Sequence, residues 1–232
     1  LQATQIDQWL LERKGDARVL ASRPTTINAL KAFATNEPNS AIVQQQQANL
    51  TQLALDVQTS YDYRRIVFFN RQGQTVWQTG VQNPLPQEIN TVFREADHQT
   101  SLGGEVRLID LNLLKVNNQD LPVYGVLAYI YDEQNNFIGA AYLEKDPQNF
   151  LYSLLDRAAN ASTTAETLLV RREGNNIRYL NPLRFASDPP LRLSRSLDQD
   201  SLLATQAILQ SRRLVRGTDY RDILVVGASF ET

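Results

Sequence analysis

Few side chains in this sequence could do covalent or metal chemistry, and their spacing narrows the choice at once. There is one histidine, His98, and no cysteine. A Ser-His-Asp arrangement has no local support, and neither a thiolate nucleophile nor a multi-histidine metal cluster can form. His98 is expected on a loop or at the surface. Asp132, Glu133, Glu144 and Asp146 raise the question of a carboxylate pair or a cation site. Asp132 and Glu133 fall in a polar turn, however, and are expected to be solvated. Gly103-Gly104 lacks the lysine and the strand-to-helix setting of a phosphate loop and reads as a plain turn. The pairs Arg64-Arg65, Arg171-Arg172 and Arg212-Arg213 read as strand-edge charges that discourage edge pairing. In Gly217-Thr218-Asp219-Tyr220-Arg221, Asp219 is expected to accept bonds from loop N–H groups, and Tyr220 to pack its ring with the hydroxyl satisfied nearby. Asn181-Pro182 reads as a turn builder, with Arg184 tying that turn to a neighbouring carbonyl. This inventory yields no catalytic residue, no metal and no cofactor.

Composition bounds the elements that must position these groups. At 232 residues and 42% hydrophobic content, the chain can form one large domain or two of roughly 100–130 residues, and two is the preferred reading. Lys+Arg 23 against Asp+Glu 25 gives a net charge of −2, too weak a field to hold nucleic acid or an anionic membrane surface. Methionine is absent even at position 1. The chain is therefore expected to begin inside a longer protein whose signal or anchor segments lie outside it. No run approaches the roughly 20 apolar residues that span a bilayer.

Periodicity then places the elements. Ile6, Trp9, Leu10, Arg13, Ala17 and Leu20 recur at three- and four-residue intervals, so Gln5–Ala21 is expected to be a helix with an apolar stripe. Such a stripe invites packing on a second copy of the chain. Pro24 interrupts it, a helix resumes over Thr26–Ala34, and another runs from Ser40 to Tyr61. A hairpin is expected over Arg64–Asn70 and Thr75–Thr79, a short helix over Glu88–Ala96, and a strand over Glu105–Leu114. The most secure local element is the hairpin Val123–Tyr131 and Phe137–Leu143, around Asp132–Asn136. Its strands are apolar at nearly every position, which calls for cover on both sheet faces, by helices on one and by loops around a cavity on the other. Asp146-Pro147 starts a further helix. Asn160–Ala165, small and polar, marks the boundary to a second α/β unit. That unit is expected to contain strands at Thr167–Arg172, Asn176–Tyr179, Leu191–Ser194 and Ile223–Ala228, and a helix at Asp200–Gln210. The fold class is α+β. The two halves share an order of elements, which reads as two copies of one fold.

Asn181-Pro182-Leu183-Arg184, Pro190-Leu191, Ala204–Ile208 and the run Gly217–Ala228 resemble the second module of double Cache sensor domains. The long N-terminal helix reading LLERKGDARVLASRP, the Val123–Tyr131 strand and Gly139–Glu144 are similar to the first. Asp222 stands where that family often has glycine, and the family's final strand with its tryptophan is missing. The resemblance implies a helical region (1–61), a membrane-distal PAS-like module (62–159) and a membrane-proximal one (160–232) without its last strand. It implies the periplasmic sensing part of an inner-membrane receptor. Transmembrane helices would flank it, and its output would be a histidine kinase, a diguanylate cyclase or phosphodiesterase, or a chemoreceptor. A homodimer through the first helix is expected, with no enzyme activity in this portion.

The resemblance also places a small-molecule pocket in the distal module, with an acidic residue on its last long strand. The match by position is Glu144. Strand alternation puts Tyr142 on the same face, and Tyr124, Tyr129, Arg107, Asp110 and Trp77 are expected as walls. One acid in an aromatic box suits an amine or another cationic group. The family's amino-acid signature, a tyrosine followed by R-x-W-Y, is not found in Gln74–Asn118, so an ordinary α-amino acid is not the expected ligand. The competing reading has Glu144 paired with Lys145 or Arg107 and the cavity filled by side chains. At the level of function, the alternative is a structural or protein-interaction module without a ligand.

Overall fold

The computed structural model describes residues 2–80, 82–96, 106–159, 163–210 and 214–230. His98, Gly103-Gly104, Arg212-Arg213 and the first part of the Asn160–Ala165 boundary lie outside the described residues. Contacts divide the chain into two compact units, Leu10–Asp146 and Leu1–Trp9 with Pro147–Thr232.

The unit Leu10–Asp146 holds most of α1 (Gln2–Ser22), then α2 (Pro24–Thr35) and α3 (Ala41–Ser60). The break between α1 and α2 falls at Arg23, which is extended, and Pro24 takes the first helical turn, where its missing N–H costs nothing. Ser40 caps α3, its hydroxyl accepting the Val43 N–H at 3.3 Å. Five strands follow: β1 (Arg65–Asn70), β2 (Thr75–Gln78), β3 (Val106–Val116), β4 (Gln119–Tyr131) and β5 (Phe137–Lys145), with α4 (Glu88–Ala96) between β2 and β3. They form one antiparallel sheet in the order β2-β1-β5-β4-β3. The expected β4–β5 hairpin turns on Asp132, whose carboxylate accepts the N–H groups of Gln134 (3.0 Å) and Asn136 (2.7 Å). β4 starts earlier than its apolar run. Asn117 and Asn118, at φ 48° and 66°, make a tight turn after β3, and asparagine tolerates that left-handed backbone.

Both sheet faces are covered, as the continuous apolar runs require. On one face Ile66, Phe68, Val126, Ala128, Ile130, Ala141 and Leu143 pack against Ala17, Leu20, Leu30, Leu50 and Ala54 of the three helices. On the other, Val67, Phe69, Leu127, Tyr129, Ala140 and Tyr142 pack against Ile89, Val92 and Phe93 of α4. Each large side chain fully buried here contributes on the order of 1.5–3 kcal/mol. The α1 stripe is spent inside the chain: Ala17 (0% exposed) and Leu20 (1%) lie in the first core, and Ile6 and Trp9 are buried too. This corrects the expectation that the stripe meets a second copy. The apolar side chains α1 leaves exposed are Leu11 (62%) and Val19 (54%), one turn either side of Gly15.

In the second unit a π-helical turn, Gln148–Tyr152, leads into α5 (Ser153–Ala159), and the buried Tyr152 hydroxyl donates to the Leu180 carbonyl at 2.7 Å. Trp9 stacks on Phe150 with ring centroids 4.8 Å apart. A three-stranded sheet of β6 (Val170–Glu173), β7 (Asn176–Tyr179) and β8 (Ser194–Ser196) is joined by α6 (Leu203–Gln210) and the ribbon of β9 (Val215–Thr218) and β10 (Leu224–Gly227). β8 begins later than its apolar sequence because Leu191 turns at φ 63°. The motif residues build loops. Asp219 accepts the N–H groups of Arg221 (2.8 Å) and Ile223 (3.2 Å), and Tyr220 donates to Glu166 at 2.7 Å. Asn181 bonds Leu169 N–H and the Thr167 carbonyl, and Arg184 donates to the Ala165 carbonyl at 3.1 Å. Asp222 sits at φ 62°, a backbone that glycine adopts without strain.

Candidate ligand-binding face

The end of β5 is where consecutive residues reach opposite faces of the sheet. Glu144 lies on the α4 side and Lys145 on the helix side, as a pleated strand requires. The Lys145 ammonium donates to the carbonyls of Tyr61 (2.6 Å) and Asp62 (2.9 Å) and sits 4.8 Å from the Tyr63 ring centroid; burial holds its pKa below the usual lysine range. Tyr63 in turn donates to Asp16 of α1 at 2.9 Å, which carries the polar network onto that helix.

Glu144 is fully buried and engaged by arginine. Arg65, its direct neighbour across the β1–β5 ladder, donates to its carboxylate at 2.8 Å, and Arg64 lies 3.7 Å away. Arg65 is 2% exposed in an interior strand, and its remaining donors reach the carbonyls of Asn83 (2.9 Å) and Pro84 (2.7 Å) in the loop that enters α4. The Arg64-Arg65 pair is therefore not an edge charge, and the partner of Glu144 is neither Lys145 nor Arg107. Burial raises the Glu144 pKa above the usual carboxylate range, against the opposing pull of Arg65 and then Arg64. The two arginines answer its charge, so Glu144 is not the free acid that an incoming amine would need.

The expected wall residues divide between the two faces. Tyr142 shares the α4 face with Glu144: its ring lies over Gly125, where a Cβ would stand 2.5 Å from a ring carbon. It is 0% exposed, its hydroxyl has no hydrogen-bond partner among the described residues, and burial lifts its pKa well above the phenol range. Tyr129 lies on the same face, edge-on to Phe137 at 5.7 Å, with the Arg107 guanidinium 5.9 Å from its ring centroid. Tyr124 and Trp77 are on the other side. Tyr124 pairs with Lys145 across the ladder, beside Tyr63 and Arg13, and Trp77 packs on Phe68 in the helix-side core. Both were expected on the Glu144 face, and strand parity places them opposite. Asp110 sits in a β3 bulge and accepts the Leu111 N–H at 2.6 Å. The face thus joins Glu144, Tyr142, Tyr129 and Arg107 beneath α4, together with Arg65, which sequence reasoning missed. Its signal was a charged residue opening the apolar run Arg65–Phe69 directly opposite an acid closing another.

No family model matches the sequence and no curated protein matches it. Among solved structures, the periplasmic sensory domain of the Campylobacter jejuni chemoreceptor Tlp1 aligns over 100% of this chain and 87% of that chain, at 13% identity and a TM-score of 0.63. The chain shares the fold of that domain. The E. coli DcuS sensor domain (17% identity, 62% of this chain and 92% of that chain, TM-score 0.43) also matches. So does the Vibrio cholerae LuxQ periplasmic domain (11%, 98% and 98%, TM-score 0.42). These last two similarities are too low to argue from. Among the described residues, no helix is long and apolar enough to cross a membrane.

Proposed function

We propose that this chain is the periplasmic ligand-sensing domain of a transmembrane receptor with a histidine kinase, cyclase or phosphodiesterase, or chemoreceptor output. A small molecule binds on the α4 face of the first sheet, and the response leaves through the helices. The observation that carries this reading is the chemistry gathered there: a buried phenol without a partner among the described residues, a second tyrosine and an arginine on one sheet face, beneath the short helix α4. With Arg65 already on Glu144, a cationic character of the ligand rests on the rings of Tyr129, Tyr131 and Phe137 alone. Dimerisation through α1 uses Leu11, Gly15 and Val19, because the original stripe is buried. A thermal-shift screen of metabolites, amines included, tests the reading. A true ligand at 100 times its Kd raises stability by roughly 2.7 kcal/mol, and Arg107→Ala or Tyr129→Phe removes the rise. A rise untouched by both variants excludes this face.

The full burial of Glu144 and Tyr142 favours the ligand-free spacer as the second reading. In that case no compound shifts the melting temperature, while full-length signalling persists.

A further inference from the structure

Arg65 does two things with one guanidinium. It neutralises Glu144, and it holds the carbonyls of Asn83 and Pro84 in the segment that delivers α4 onto the sheet. Leu85 packs against the same core, and Pro86 accepts the Ile89 N–H at 3.1 Å as α4 begins. Besides the packing of Ile89, Val92 and Phe93, the segment entering α4 is thus tied to the sheet through Arg65, and Glu144 is the charged partner that holds Arg65 there. We propose that the Arg65–Glu144 pair is a proton-sensitive clasp on the segment carrying α4, so that acidification of the surroundings loosens the cover of the ligand face. The proposal rests on the reading of that face as the ligand site.

The charged and titratable groups around Glu144 set what protonation does. From β1 Arg65 stands at 2.8 Å, and just before the strand Arg64 at 3.7 Å, with Asp146 a further 3.8 Å from Arg64. From β5 itself comes Tyr142. Glu88 of α4 acts on Tyr142 through space, as does Tyr124 of β4, whose residue opposite Glu144 is Gly125 and adds no charge. Among the described residues, every group within salt-bridge distance of Glu144 is cationic. A proton on its carboxyl therefore removes the ion-pair attraction and leaves a buried guanidinium with no counter-charge beside it among the described residues. A buried guanidinium in that position lowers its energy by reaching solvent, and the move drops Asn83 and Pro84 together. The sign follows from linkage: acid favours the state that holds the proton more tightly, and a Glu144 that stays buried after Arg65 has left loses the pull that now opposes burial, so its pKa rises above that of the clasped state.

Hydrogen exchange on the ligand-free chain, corrected for intrinsic rates, tests the clasp. The ratio of protection over residues 82–96 to that over α3 should fall at least severalfold as pH drops through the Glu144 titration. In Glu144→Gln the ratio should be low and pH-independent. In Arg65→Lys, which keeps the charge but loses the fork, it should be low at every pH with α3 unchanged. A wild-type ratio that stays flat with pH overturns the clasp, as does a Glu144→Gln ratio that still titrates. Because no ligand is present, a working clasp in a chain that binds nothing at this face would fail the ligand reading and not the clasp.

Discussion

Arg65→Met is the perturbation whose size the structure sets most tightly. It removes the guanidinium and leaves Glu144, 0% exposed, with only Arg64 at 3.7 Å to answer its charge. Breaking a buried pair from one side costs about 3–5 kcal/mol. The carboxylate has an escape, which is to bind a proton. For an ordinary glutamate of pKa about 4.3, protonation at pH 7 costs roughly 3.7 kcal/mol, and at pH 5 about 1 kcal/mol, at ~1.4 kcal/mol per pH unit. The loss at pH 7 should therefore lie near 3–4 kcal/mol and shrink as the medium is acidified. The pH-independent remainder is the loss of the bonds to Asn83 and Pro84. Urea unfolding of wild type and variant at three pH values between 5 and 7 gives the numbers directly. A penalty below about 1 kcal/mol at pH 7, or one that does not change with pH, would refute the claim that Glu144 relies on Arg65.

Three further outcomes are expected. Gly125→Ala should fail to fold or lose several kcal/mol, since its Cβ would stand 2.4 Å from the Leu143 carbonyl oxygen and 2.5 Å from the Tyr142 ring; a stable variant by circular dichroism would contradict the register. Tyr63, Tyr124, Tyr142, Tyr179 and Tyr220 all have pKa values raised above the phenol range, that of Tyr179 to about 12, with burial the first cause in each case. Their unfolded forms release protons first as pH rises. Stability is therefore whole below the ordinary phenol pKa of about 10 and falls above it, by up to ~1.4 kcal/mol per pH unit for each fully buried ring, so their ultraviolet ionisation should coincide with unfolding rather than precede it. If the chain sits in a membrane receptor as proposed, cysteines introduced at Leu11, Gly15 or Val19 of that receptor should crosslink, and ones at Ala17 or Leu20 should not; the reverse pattern would return the dimer to the buried stripe.

The strand and helix order was legible because period and turn chemistry agreed in most segments. The Asp132–Asn136 hairpin and the α2 break at Pro24 are cases where local residues alone decide the backbone. The Asn117-Asn118 turn carries the same kind of signal, two residues that tolerate positive φ. The candidate site was legible only in part. Alternation correctly joined Glu144 to Tyr142 within one strand, but it says nothing about register between strands. Tyr124 and Trp77 were therefore assigned to a face that cross-strand pairing gives to Arg65 and Tyr129. The α1 stripe was real, yet an apolar stripe does not say whether its partner is the same chain or a copy.

The central claim, that the α4 face of the first sheet is where a ligand is sensed, is tested most directly by mapping hydrogen exchange with and without a compound that raises the melting temperature. The account predicts slowed exchange over residues 82–96 and in β3, β4 and β5, with residues 163–228 unchanged. Protection confined to residues 163–228 would contradict it.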